Sequence, residues 1–237
     1  MPLKTVKAYL DLCRVSNLPT VWTNVLAAVV LSGEEISWSL CALLALSLSL
    51  FYSGGMCLND ICDVGIDRLK RPFRPIPSGR ATLRGAWRFT VLLFTSGLSL
   101  LAAASPPPAI FAGIILILLI IAYDTLHKAL YLSIFLMAAC RLMVFVVSAL
   151  AVAGSVSSNV AFAGCLQFGY VLLISVVARH ENRRGGPYPI PLVPIMLAGI
   201  SLLDGIVMAV AVSLVWLGAG ISGAALTLTG QRFVRGD

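Results

Sequence analysis

Charge is scarce in this chain. Only 11% of its 237 residues are Asp, Glu, Lys or Arg, there are ten acidic residues, and histidine occurs twice. A soluble domain of this length normally carries about a quarter charged residues, so a water-exposed globule is excluded. Cysteine chemistry is thin as well. Cys13, Cys41, Cys57, Cys62, Cys140 and Cys165 are scattered through apolar segments without metal-ligand spacing and read as small core residues. Hydrophobic residues make up 59% of the chain, and the mean hydropathy is +0.97.

Apolar runs near 20 residues imply spanning helices, because every backbone polar group must be satisfied inside lipid. Eight are expected, at 15–32, 37–58, 83–104, 107–123, 133–154, 157–178, 188–203 and 205–229, with Asp204 the only break in the last forty apolar residues. The expected class is an all-α polytopic membrane protein forming one domain over residues 1–237. The N-terminus does not read as a cleavable signal. Asp11 and Arg14 interrupt it, and the run that follows is of span length, so it is retained as the first helix.

The few charges are distributed unevenly. Lys4, Lys7 and Arg14 precede the first run, a basic cluster follows the second, Lys128 follows the fourth, Arg179, Arg183 and Arg184 follow the sixth, and Arg232 and Arg235 close the chain. The alternate connections carry Glu34 and Glu35, then Ser105 to Pro108, then Gly154 to Asn159, with no Lys or Arg. The positive-inside rule therefore places both termini and the basic connections in the cytoplasm. The net charge of +7 is a topology signal, and nucleic acid is not an expected partner.

Against this background one stretch stands out, Asn59 to Arg80. Asp60, Asp63 and Asp67 fall at i, i+3 and i+7, an arc of about 60° on one helix face. Like charges so placed repel unless a cation shares the face. Hard oxygen ligands suit Mg²⁺, which takes one or two carboxylates together with substrate phosphate. Arg68, Lys70, Arg71, Arg74 and Arg80 follow at once, and guanidinium is shaped to grip phosphate oxygens. Basic loops beside membrane helices are ordinary, but three co-facial aspartates at a membrane junction are costly unless used. The stretch reads as a site for a Mg²⁺-bound diphosphate.

Elsewhere, Asn17 and Asn24 share a face of the first span and are expected to look into the bundle. Ser53-Gly54-Gly55-Met56 allows close approach of a helix or a ligand. Arg141 lies about 12 Å into the fifth span, deep enough to be a functional candidate or half of a structural ion pair. The openings Cys13-Arg14 and Cys140-Arg141 suggest a parallel four-plus-four repeat.

Asn-Asp-x-x-Asp-x-x-x-Asp followed by Arg-Pro-x-Arg-Pro-x-Pro-Ser-Gly-Arg resembles the first signature of the UbiA superfamily of intramembrane prenyltransferases. Arg14 and Pro19 match the start of that superfamily's first helix. Tyr123-Asp124-Thr125-Leu126-His127-Lys128 resembles its tyrosine-to-lysine element, in which the lysine contacts diphosphate. The second aspartate-rich motif of better-known relatives is reduced here to Glu181, after Arg179 and His180. The resemblance runs from about Leu12 to Arg184 and looks like a short, divergent branch.

It implies transfer of a prenyl group from a prenyl diphosphate to a small, aromatic acceptor in the membrane, with Mg²⁺ as cofactor. Asp60, Asp63, Asp67, Lys128 and Glu181 would be catalytic. Asn59, Asp60, Asp63, Asp67 and Glu181 would hold metal, and Arg14, Asn59, Arg71, Arg74, Tyr123, Arg141 and Arg179 would bind substrate. The rival readings are phosphoribosyl transfer to a polyprenyl phosphate, and a non-catalytic lipid-binding or transport protein of the same fold.

Overall fold

Long apolar stretches separated by proline, glycine and charged turns fold here as helices, because a helix satisfies its own backbone in lipid. A computed structural model of the chain describes residues 3–126, 133–184 and 191–234. Among these the regular elements are all helical: α1 (Leu3–Cys13), α2 (Leu18–Leu31), α3 (Trp38–Lys70), α4 (Leu83–Ala104), α5 (Pro107–Leu126), α6 (Ser133–Ala153), α7 (Ser158–Arg184), α8 (Leu192–Ala211) and α9 (Leu217–Gly230). Six of them, α3 to α8, are long and apolar enough to cross a membrane, and two shorter apolar segments cover Val15–Leu31 and Leu214–Gly230. The expectation of about eight apolar helices is met, and the chain is an integral, multi-pass membrane protein.

Three boundaries differ from those expected. The first span is preceded by a separate helix, α1, and the two are joined through Arg14, the one described non-glycine residue with positive φ (45°). The second and sixth spans run on well past their apolar segments, so that α3 is 33 residues and α7 is 27. At 1.5 Å per residue α3 is about 50 Å long, well beyond the roughly 30 Å of a bilayer core. The aspartates therefore lie on the last turns of a continuous helix, and the basic turn starts only at Arg71.

The expected break at Asp204 is corrected. Asp204 sits inside α8, and the chain turns instead at Val212 and Ser213 before α9. A carboxylate interrupts an apolar run only if it needs water, and this one is 2% exposed and accepts two side-chain hydrogen bonds.

α2 is the axis of the bundle. Eleven of its 14 residues are buried, and it packs against α3, α6, α7, α8 and α9. Val21, Val25 and Val29 join Leu44, Leu48 and Phe51 of α3 in one core, while Ala27, Ala28 and Leu31 meet Phe145, Ala149 and Met208 in another. The outer faces of α4, α5, α7 and α8 carry exposed Val91, Phe111, Leu118, Phe162 and Ile206, as a lipid-facing wall does.

Small residues set the closest crossings. A Cβ on Gly205 of α8 would fall 2.7 Å from the Cα of Gly220 in α9, so those two backbones touch. Gly54 and Gly55, read as an approach point in the sequence, accept Phe94 of α4 and Ile120 of α5.

Candidate functional site

The last turns of α3 present two sets of oxygens. Asp60 and Asp67 are 4% and 3% exposed, and both face Arg74, which the turn after α3 folds back over the helix. Arg74 Nη1 donates to Asp67 Oδ2 at 2.7 Å and to Asp60 Oδ1 at 3.1 Å. The same Asp60 oxygen accepts from Arg14 Nη2 at 3.3 Å, while Arg14 Nη1 lies 3.6 Å from the sulfur of Met56. The left-handed backbone of Arg14 turns the chain between α1 and α2, and it is from this turn that the guanidinium reaches α3.

The turn itself is fixed at several points. The Arg71 N–H donates to the Asp67 carbonyl at 2.8 Å, and the Arg74 N–H donates to the Arg71 carbonyl at 3.0 Å. Arg80 donates to Asp11 Oδ2 at 2.7 Å and to the Phe73 carbonyl at 2.8 Å, which ties the turn to α1. Arg71 itself caps α3 and is half-buried.

The second set faces α5. Asn59 Nδ2 donates to Asp124 Oδ1 at 3.1 Å, and Asp124 is buried at 2% exposure. Asp63 lies one turn beyond Asn59 on α3 and is half-buried. Tyr123 precedes Asp124 on α5. Arg179 of α7 donates through Nη2 to Ser133 Oγ of α6 at 2.9 Å. Glu181 is half-buried two residues further along α7. His127 and Lys128 lie outside the described residues.

Four of the nominated side chains, Arg14, Asp60, Asp67 and Arg74, therefore form one ion-pair cluster, and Asn59 and Asp63 share the end of α3 with it. Asp124 was missed as a site residue. Its signal was present, an acid within the last turn of an otherwise apolar span, but its partner Asn59 is 65 residues away. Arg141 stands apart, deeper in the bundle, where its Nη1 donates to Asn24 Oδ1 at 2.8 Å. Asn24 is fully buried, as its helical register required.

Among the described residues no three His, Cys, Asp or Glu side chains form a ready-made metal cage. The donor set is nonetheless all hard oxygen, beside arginines. That suits a Mg²⁺ ion held by one or two carboxylates and completed by phosphate oxygens and water. The arrangement can hold a metal–diphosphate pair, with guanidinium groups on one side.

Comparison with known proteins agrees with this geometry. Residues 19–231 match the UbiA prenyltransferase family. Among curated relatives, the digeranylgeranylglyceryl phosphate synthase of Sulfolobus acidocaldarius is 37% identical over 94 residues, 40% of this chain and 34% of that protein. The synthase of the same name from Methanocaldococcus jannaschii is 34% identical over 99 residues, 41% of this chain and 35% of that one. The chain thus spans about a third of the length of the curated relatives it matches.

In overall fold, a structure from work on digeranylgeranylglyceryl phosphate synthase in membranes superposes with a TM-score of 0.66 at 19% identity, over 98% of this chain and 96% of the other. A UbiA homologue from Archaeoglobus fulgidus bound to DMAPP and Mg²⁺ gives 0.61 at 17% identity, over 93% and 84%. With a family match that runs from α2 to the end of α9, the chain belongs to the UbiA prenyltransferase family.

Proposed function

We propose that this protein, as a single membrane domain, transfers a prenyl group from a prenyl diphosphate to an acceptor within the membrane. The observation that carries this is the convergence of Arg14 and Arg74 on the hard oxygens of Asp60 and Asp67 at the end of α3. Cations and acids at a helix–membrane junction are expensive, and together they match a metal-bound diphosphate.

Asn59 and Asp63 would hold Mg²⁺, with Asp124 fixing the Asn59 amide. When bound, the metal supplies a Lewis acid that offsets charge on the diphosphate oxygens. Asp60 and Asp67 act through their partners. They hold the Arg14 and Arg74 guanidinium groups beside the position of the diphosphate, where positive charge stabilises the leaving group as the allylic C–O bond ionises. Arg179 adds to that field, the family resemblance assigns Lys128 the same task, and Arg71 lies at its edge. Tyr123 closes the α5 side of the site. The apolar walls of α2 and α3 exclude water from the carbocation until the acceptor attacks. Glu181 is the remnant of a second acidic site and contributes less. Both termini and the connections bearing Arg74 and Lys128 face the cytoplasm, as the charge asymmetry requires.

The expected aromatic acceptor has a competitor. The curated relatives are named for making digeranylgeranylglyceryl phosphate, which favours a glyceryl phosphate acceptor. Purified protein incubated with Mg²⁺ and labelled prenyl diphosphates, offered aromatic and glyceryl phosphate acceptors separately, tests both. Formation of a prenylated product with release of diphosphate supports the reading. Diphosphate release only from a phosphoribosyl donor, or binding without release from any donor, overturns it.

A further inference from the structure

Beneath the aspartate site the bundle contains a second polar group. Arg141 of α6 donates to Asn24 of α2 at 2.8 Å, and Asn24 Nδ2 donates to Asp204 Oδ2 of α8 at 2.7 Å. Gln167 of α7 donates through one Nε2 to Asp204 Oδ1 at 2.7 Å and to the Ile200 carbonyl at 2.8 Å. Four helices thus contribute one side chain each to a continuous chain of hydrogen bonds. Asn24 is 0%, Gln167 1% and Asp204 2% exposed, and the buried Thr23 hydroxyl donates to Ser201 Oγ alongside at 3.2 Å.

This group is not a closed structural ion pair. Asn24 stands between the guanidinium and the carboxylate, so the two charges do not make a salt bridge. Among the described residues Arg141 makes a single hydrogen bond, and it keeps partial exposure although it lies two turns inside α6. Gln167 Oε1 is buried without a hydrogen-bond partner. A guanidinium with open donors at this depth is costly, and that cost is relieved by a ligand that brings acceptor oxygens.

Depth says which ligand. Tyr52 lies eight residues before Asp60 on α3, about 12 Å deeper by helical rise, and Arg14 and Arg141 both act electrostatically on its hydroxyl. Arg141 is likewise eight residues, about 12 Å, below Ser133, the partner of Arg179. It lies one level beneath the diphosphate-binding arginines. A prenyl tail gains nothing from a guanidinium at that level.

We propose that Arg141, braced by Asn24 against Asp204, is the subsite for an anionic group, phosphate or carboxylate, on the acceptor. This rests on the prenyl-transfer reading, which supplies the donor above it. The bracing explains the architecture. Asp204 orients the guanidinium through Asn24 without occupying its remaining donors, and Gln167 holds Asp204 in turn. An incoming oxyanion then completes a fork that the protein leaves half filled.

Equilibrium binding in detergent, with Mg²⁺ and inorganic diphosphate filling the upper site, tests the proposal without requiring turnover. The probes are two matched pairs, geranylgeranylglyceryl phosphate with its dephosphorylated alcohol, and 4-hydroxybenzoate with 4-hydroxybenzyl alcohol. One anion should bind at least about tenfold more tightly than its neutral partner, and the pair that shows this separates phosphate from carboxylate. Arg141→Gln should erase that preference, and Arg141→Lys, which keeps the charge but loses the fork, should retain part of it. Equal binding within both pairs by the unmodified protein overturns the subsite, as does a preference that survives Arg141→Gln. Failure of the unmodified protein to bind any prenyl diphosphate would instead overturn the prenyl-transfer reading.

Discussion

Arg74 and Asp67 form a 2.7 Å ion pair across the end of α3, with both side chains almost wholly enclosed. The pair fastens the turn that follows the helix back onto the face carrying the aspartates, and Asp60 shares the same guanidinium nitrogen. Removing one member of a buried pair leaves the other uncompensated, at a cost of about 3–5 kcal/mol. Arg74→Ala and Asp67→Asn are therefore each expected to lower the thermal midpoint in detergent by several degrees. The double variant should be less destabilised than the sum of the two. Strict additivity would show that the pair does not couple.

The two oxygen sets should respond differently to loss of charge. Asp63→Asn should abolish turnover together with Mg²⁺ binding measured by calorimetry in the presence of diphosphate, because it removes a proposed metal ligand. Asp67→Asn should retain Mg²⁺ binding while weakening the donor complex, since it releases Arg74. If Asp67→Asn removed metal binding as fully as Asp63→Asn, Asp67 would be a ligand itself.

Glu181 should matter less than either. Mg²⁺ needs only one or two carboxylates when phosphate supplies further oxygens, so the α3 site can hold it unaided. Glu181→Gln should lower activity, leave a measurable remainder, and shift the Mg²⁺ titration midpoint modestly. Complete loss would identify it as a full catalytic group.

Orientation is testable with single cysteines in a background lacking the exposed Cys165. Ser78 follows the basic turn and Ser155 lies in the connection between α6 and α7, and both are exposed. A membrane-impermeant thiol reagent should reach Ser78→Cys only from the cytoplasmic side and Ser155→Cys only from the opposite side. Labelling of both from one side would invert the positive-inside argument.

The crossing of α8 and α9 tolerates no side chain. Gly205→Leu should destabilise the folded protein by at least about 1–3 kcal/mol, because the added atoms meet backbone rather than a movable side chain. A substitution at Gly218, where added atoms meet nothing within 4 Å, is the matched control and should leave the thermal midpoint unchanged.

Hydropathy made most of the spans legible, and the charge spacing of Asp60, Asp63 and Asp67 located the site. What it could not convey was pairing at a distance. Asp204 looks like a helix break because its partners Asn24 and Gln167 lie 180 and 37 residues away. Asp124 looks incidental until Asn59 is placed beside it. Helix ends were misjudged for a related reason. The apolar part of α3 stops near Leu58, but helical backbone continues for three more turns because Arg14 and Arg74 neutralise the acids there.

The central position of α2 constrains how the protein can be made. α2 is translated before all five helices it packs against, and although α3 follows at once, α6, α7, α8 and α9 arrive later. It is too short to be a comfortable lone span and carries Asn17 and Asn24, so until the carboxyl-terminal half arrives it must be sheltered by the insertion machinery or by a chaperone. Nascent chains stopped before α8 therefore lack Asp204, one of the two partners of Asn24, and should remain associated with that machinery, so that release into the bilayer reports completion of the bundle.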